Sequence, residues 1–394
     1  MNKDPIVIAS IARTPMGHLL GYFKDLSAHE LGSYAIKAAI NRINLKPESI
    51  QEVLMGCILQ AGQGQEPARQ ASIGAGVPDS VGCTTVNKMC GSGMKTIALG
   101  YDSILTDANH IIVAGGMESM TKAPYLLSKA RNGYRLGHDK IIDHMHLDGL
   151  EDAYDRGTLM GVFADKTAKK YGFSREEQDE FAKESVLRAK KATEDGSFNV
   201  EIVPIDLKNS KEEQTIKHDE GPMTVKIDKI SQLKPAFSKD GTVTAANSSR
   251  ISDGAAAVVL MRSSKAQELG IKPLAIIHTY ASYAHESAWF TTTPVGVIKR
   301  LLKKIDWTLD SVDLFEINEA FAVVPMVAMK ELKISHQKVN IHGGACVLGH
   351  PIGASGARIV TTLIGAMKKY EKKRGIAAIC IGGGEAMAIA LELI

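Results

Sequence analysis

Cys90, His350, Cys380 and Asn318 combine side chains suited to nucleophilic and acid–base chemistry with glycine-rich surroundings. Cys90 lies in VNKMCGSGM (residues 86–94), where a strand-like stretch passes into a helix. Free N–H groups and the dipole at a helix N-terminus favour a thiolate. The small neighbours Gly91, Ser92 and Gly93 allow a second molecule to approach. A lone cysteine in that setting serves equally as a small buried hydrophobe. His350 lies in NIHGGACVLGHPIGAS (residues 340–355), crowded by glycines, with Pro351 placed to start the next helix. It is either a base for the Cys90 thiol or a histidine satisfied in the core. Cys380 lies in ICIGGG (residues 379–384), at the end of an apolar strand and beside backbone N–H groups suited to an oxyanion hole. No G-x-G-x-x-G opens a βαβ unit there, which argues against dinucleotide binding. Asn318 follows a short strand, and it could hold a water or substrate oxygen or cap a helix.

The elements that would position these residues alternate. Residues 5–11 (PIVIASI) read as a buried strand, 27–43 as a helix, 52–58 as a strand, 93–106 as a helix, and 110–114 as a strand ending at Gly115 and Gly116. Near-continuous apolar strands between helices imply sheets covered on both faces. The order recurs in the second half. IIVAGGMESM (111–120) falls on AICIGGGEAM (378–387) at an offset of 267. NKMCGSGMK (87–95) falls on HPIGASGAR (350–358) at an offset of 263, with a four-residue insertion between the two matches. ESIQEVLMG (48–56) has the apolar pattern of DSVDLFEIN (310–318). Three matches in one order imply two homologous α/β halves. Pseudo-twofold stacking of those halves would bring His350, the repeat partner of Asn87, close to Cys90. Residues 121–243 are charged and irregular around a helix at 175–195, and too long for a simple loop. After them, 255–261 returns as an apolar strand of the first half.

Composition narrows the function classes. The 394 residues carry 47 Lys and Arg against 44 Asp and Glu, a net charge of +3, so no broad basic field points to nucleic acid. Five cysteines without a CxxC pair argue against zinc and against a disulfide framework. His144 and His146 form an HxH pair with no third ligand at convincing spacing, so no metal is expected. With no signal-like N-terminus and no run long enough for a membrane span, the expectation is a soluble cytoplasmic protein without a membrane partner.

VNKMCGSGMK (86–95), TVTAANSSRISDGAA (242–256), NEAFA (318–322), GGACVLGHPIGASGAR (343–358) and CIGGG (380–384) together resemble the thiolase family over the whole chain. The resemblance implies a five-layer αβαβα fold: a first half of residues 1–120 completed by 244–270, a loop domain of 121–243 over the coenzyme A site, and a second half of 271–394. It implies Cys90 as the acylated nucleophile and His350 as its activator. Cys380 would be the acid/base at the substrate α-carbon. Asn318, through a water, would form one oxyanion hole with His350, and the N–H groups of Cys90 and Gly382 would form the other. Leu150 and Met160 would shape the acyl pocket, Ser249 would meet the pantetheine arm, and Ala320 and Phe321 would line the channel.

The implied reaction is ping-pong condensation of two acetyl-CoA to acetoacetyl-CoA and CoA, and its reverse. Coenzyme A thioesters would be substrates, with no resident cofactor, in a homodimer or homotetramer. A degradative 3-ketoacyl-CoA thiolase of broader chain length and a non-catalytic acyl-CoA-binding subunit are the alternatives.

Overall fold

The computed structural model describes residues 4–208 and 213–394. Nine strands in chain order form one twisted sheet: β1 (Ile6–Arg13), β2 (Glu52–Gly56), β3 (Gly82–Val86), β4 (Ile111–Ser119), β5 (Ser252–Arg262), β6 (Ala275–Ala284), β7 (Leu314–Ile317), β8 (Arg374–Ile381) and β9 (Glu385–Leu393). Their spatial order is β7-β8-β9-β6-β1-β5-β4-β2-β3, and the short Gly17–His18 pairs with β5 as a tenth strand. All eight positions of β1 and all nine of β4 are buried, as expected for strands covered on both faces.

The pairing pattern repeats. In the first half β2 runs parallel to β4, β4 antiparallel to β5, and β5 antiparallel to β1. In the second, β7 runs parallel to β8, β8 antiparallel to β9, and β9 antiparallel to β6. The halves meet where β1 pairs β6 through only Val7↔Ile276 and Ile8↔Ala275.

The register corrects the alignment at 267. Ile111 pairs Met261 in the first half, whereas the same place in the second is Arg374 paired with Glu392, an offset of 263. The nucleophile-like and histidine segments share that offset, so no insertion intervenes. The glycines misled because a four-residue slip preserves strand alternation. Gly115 and Gly116 also do not end their strand, which runs on to Ser119. They permit close packing instead: a Cβ on Gly116 would lie 2.0 Å from the Gly353 carbonyl oxygen.

Helices α1 (Ala28–Asn41) and α2 (Pro67–Gly74) cover one face of the first half. Ser27 and Glu30 form a reciprocal capping box that starts α1. Helix α3 (Ser92–Leu105) lies on the other face. The intervening segment contributes α4 (Met160–Tyr171) and α5 (Arg175–Glu194), and it is tied to β1 by the buried Arg13, whose guanidinium donates to Asp219 at 2.7 and 2.9 Å and to Glu201 at 3.2 Å. Helices α6 (Thr293–Ile305) and α7 (Val323–Leu332) cover the outer face of the second half. Helix α8 (Ser355–Lys369) packs against α3, and their apolar faces share one core with strands of both halves. Pro351 does not start α8; it precedes the Ala354 N-cap by three residues, in the turn after His350.

Gly116→Ala tests the close approach. The added methyl meets backbone that cannot rotate away, so a loss at the upper end of the usual 1–3 kcal/mol for overpacking, roughly 3 kcal/mol, is expected in urea unfolding.

Candidate active site

The loop before α3 fixes Cys90. Met89 takes a left-handed backbone angle (φ +45°), an uncommon conformation for a residue with a Cβ. Ser92 braces the turn: its hydroxyl accepts from the Lys88 N–H at 2.8 Å and donates to the Met89 carbonyl at 2.6 Å. Cys90 is half-buried just ahead of the Gly91 N-cap.

Cys90, His350 and Gly382 line a cavity of about 310 Å³. Leu150, Met160, Ser249, Ala320 and Phe321 line it too, with Met89, Phe290 and Ile352 adding apolar wall. A second cavity of about 420 Å³ shares Leu150, Met160, Ser249 and Phe321 with the first and extends to His18, Phe237 and Arg250. His146 lines this second cavity, and His144 pairs with Asp148 at 2.6 Å.

Cys380 and Asn318 lie behind this surface, each 1% exposed. Cys380 sits in β8, close enough to Cys90 for a charge on Cys90 to be felt at its thiol. Asn318 follows β7 and caps nothing, since the N-cap of α7 is Ala322. Its Oδ1 accepts from Arg358 Nη2 at 3.4 Å, and its buried Nδ2 has no partner.

The resting charge state differs from the thiolate expected at a helix start. Burial raises the Cys90 thiol above its ordinary value, outweighing the N–H groups of Gly382 and of Cys90 itself, which favour the thiolate; the Glu118 carboxylate raises it further. Burial raises the Cys380 thiol still more, assisted by Cys90. Burial, then the nearby Arg358 cation, pushes His350 down to about 3. The site therefore rests as two thiols and a neutral imidazole. The N–H groups of Cys90 and Gly382 are the donors that favour the Cys90 thiolate, and Gly382 lines the cavity beside it.

Glu118 was not singled out by its residue type or spacing. It is fully buried, accepting from the N–H groups of Ile58 and Leu59 at 3.1 Å each and of Gly353 at 2.9 Å, and so fastens the His350 loop to β4. Burial outweighs these bonds and pushes its carboxyl up to about 7. Ser355 and Arg358, on the first turn of α8, were visible only as repeat partners of Ser92 and Lys95. Arg358 is fully buried and donates to Glu316 at 3.1 Å. Cys346 lies outside both cavities, its N–H donating to Glu319 at 3.0 Å.

Two measurements follow from this geometry. With the Cys90 thiol raised, inactivation by iodoacetamide should keep accelerating beyond pH 9 and show no plateau between pH 6 and 8; a plateau there would mean a preformed thiolate–imidazolium pair. Glu118→Gln turns an NH₂ toward N–H donors and leaves at least one unpaired, so urea unfolding should register a loss of about 1–3 kcal/mol.

Comparison with known proteins places the whole chain. The description "Thiolase, N-terminal domain" matches residues 6–264 and "Thiolase, C-terminal domain" residues 271–393. A probable acetyl-CoA acyltransferase of Staphylococcus aureus (strain COL) is 45% identical over 385 residues, covering 97% of this chain and 98% of that protein. The acetyl-CoA acetyltransferase of Bacillus anthracis superposes with a TM-score of 0.96 at 38% identity, covering 99% of each chain. The Acat5 thiolase of Ascaris suum, solved in complex with coenzyme A, superposes with a TM-score of 0.93 at 41% identity, covering 99% of this chain and 100% of that one. With both domains matched in order and the strand pairing continuous through them, this chain belongs to the thiolase family.

Proposed function

We propose that this thiolase-family acyltransferase is an acetyl-CoA C-acetyltransferase, interconverting two acetyl-CoA with acetoacetyl-CoA and CoA through an acyl group on Cys90. The observation that carries this reading is that Cys90, His350 and Gly382 line one cavity, with the buried Cys380 thiol near enough to sense a charge on Cys90. The stacking of α1 and α2, the first half, α3 with α8, the second half, and α6 with α7 supports a five-layer αβαβα reading of the fold.

In the cleavage direction, the Cys90 sulfur attacks the β-keto carbon of acetoacetyl-CoA as its proton passes to His350 Nε2. Charge on the carbonyl oxygen is met by fixed N–H donors, which need no reorganisation as it develops. The bond between the keto carbon and the α-carbon breaks, and the Cys380 thiol protonates the departing acetyl-CoA enolate. Acetyl-Cys90 then passes its acyl group to CoA; the incoming thiol loses its proton and the Cys90 thiol is restored. The proton of the incoming CoA thiol goes to the Cys380 thiolate, and the His350 imidazolium returns its own to the departing Cys90 sulfur, which closes the cycle. Two resting thiols and a neutral base suit this start: one thiol gives up a proton during attack while the other supplies one. Condensation retraces these steps, with Cys380 as a thiolate removing the α-proton.

Asn318 Nδ2, a buried donor without a protein partner, suits a water aimed at the substrate oxygen alongside His350. The second cavity, which shares Ser249 and Phe321 with the first, suits the pantetheine arm. Met160 supports a short acyl group, since its sulfur lies 3.5 Å from where a Cβ on Gly382 would stand and so closes the wall beside the oxyanion donors.

Cys90→Ala should lower CoA-dependent cleavage of acetoacetyl-CoA by on the order of a thousandfold or more, and unaltered turnover would sink the reading. Prior acetyl-CoA should protect Cys90 from alkylation. Across 3-ketoacyl-CoA substrates, kcat/KM should fall steeply beyond four carbons; a flat profile would favour the degradative, broad-chain reading.

A further inference from the structure

We propose that Ser355 is a positioning residue that keeps the ring proton of His350 on Nδ1 and leaves Nε2 as a bare acceptor on the side of the Cys90 cavity. Three observations bear on this. His350 Nδ1 and Ser355 Oγ are 2.5 Å apart, Ser355 Oγ and the Pro351 carbonyl oxygen are 3.0 Å apart, and the buried His350 Nε2 has no partner. The hydroxyl has one hydrogen to share between these two contacts.

If that hydrogen points to Nδ1, two lone-pair-bearing oxygens stand 3.0 Å apart with nothing between them. The ring hydrogen then sits on Nε2 as a buried donor with no acceptor. If it points to Pro351, a hydrogen lies in each contact: Nδ1–H donates to Oγ, and Oγ–H donates to the carbonyl. The only group left unpaired is then an acceptor lone pair, the form a base needs. Orphaned buried donors are the rarer and costlier defect.

The repeat partner of Ser355 shows the same arrangement with no ambiguity. Ser92 accepts from the Lys88 amide, which can only donate, so its own hydrogen goes to the Met89 carbonyl at 2.6 Å. Each serine opens its helix, takes a hydrogen from the preceding loop and returns one to a loop carbonyl. In one half the donor is backbone, and in the other it is the His350 ring.

The groups around the imidazole agree with this assignment. Arg358, one turn along α8, disfavours a second ring proton before reaction, and it is itself held by Glu316. Cys90 shares the cavity, and Glu118 holds Gly353 in the same loop. When Nε2 takes the Cys90 proton, the Nδ1–H bond to Ser355 is already made, so charging the ring moves no heavy atom. The former acceptor then becomes a donor pointing into the cavity.

The catalytic consequence rests on the acyl-transfer reading; the proton position does not. ¹⁵N NMR of the intact protein labelled at histidine nitrogens, with the His350 signals identified by their absence from His350→Asn, reports the tautomer directly. The expected wild-type spectrum has a protonated Nδ1 and an unprotonated Nε2. Ser355→Ala should convert this to a mixture and lower kcat for acetoacetyl-CoA cleavage about ten- to hundredfold with KM changed much less, and Ser355→Thr should restore most of both. A proton on Nε2 in the wild type overturns the proposal, as does Ser355→Ala lowering kcat without moving the tautomer. If Ser355→Ala does not fold, the wild-type spectrum still decides. If Cys90→Ala retains activity, the functional reading fails while the spectrum still tests the proton assignment.

Discussion

The contact between the first turns of α3 and α8 is the constraint on which the site depends. A Cβ on Gly93 would lie 2.9 Å from the Ala357 amide nitrogen, and one on Gly356 would lie 2.3 Å from that of Met94. Both are backbone contacts, so no side-chain rotation relieves them. Gly93 and Gly356 occupy the same place in the repeated unit, and one steric requirement is applied from both sides of a pseudo-twofold axis. Because the helices touch at their starts, the loops that lead into them meet as well. Those loops carry Cys90 and His350. The Gly116–Gly353 approach and the carboxylate of Glu118 then fasten the second loop to the first half's sheet.

Burial sets the chemistry of what meets there. Taken out of water, the thiols and the imidazole rest uncharged, and the surrounding donors are fixed in place before any charge develops. Two buried clusters, Arg358 with Glu316 and Arg13 with Asp219 and Glu201, are paired and hydrogen-bonded. His350 Nε2 and Asn318 Nδ2 are among the buried polar atoms without a protein partner. Because His350 lines the Cys90 cavity, its unmet hydrogen bond is one that another molecule can complete.

Much of this was legible in residue type and spacing. The strands show as apolar β-branched runs, α1 shows as a helix opening at Ser27, and Cys90 and Cys380 stand out against glycines. The repeat was legible from 87–95 and 350–358, because packing at a helix start tolerates few alternatives. It was misread by four residues at Gly115 and Gly116, where alternation alone cannot fix register. Met89's left-handed backbone and the neutral Cys90 thiol were not legible. The first follows from loop closure and the second from the depth of burial, and both are properties of assembled layers rather than of a local segment. Glu118 was hidden for the same reason, since all three amides it accepts from are distant in sequence.

The pairing of β4 with β5 has a consequence for how the molecule comes into being. Their register joins Ser119 to Asp253 and Ile111 to Met261, so the first half's sheet stays open during synthesis until well over a hundred further residues have emerged. Closing so long a loop adds little to the equilibrium cost, because that cost grows only logarithmically with length. It bears on rate instead: strand pairs of such separation form slowly and leave apolar edges unpaired meanwhile. The nascent chain therefore carries Cys90 on an unfinished sheet while the polypeptide that will supply His350 is still being made. Catalytic competence arrives late, as a property of the closed chain.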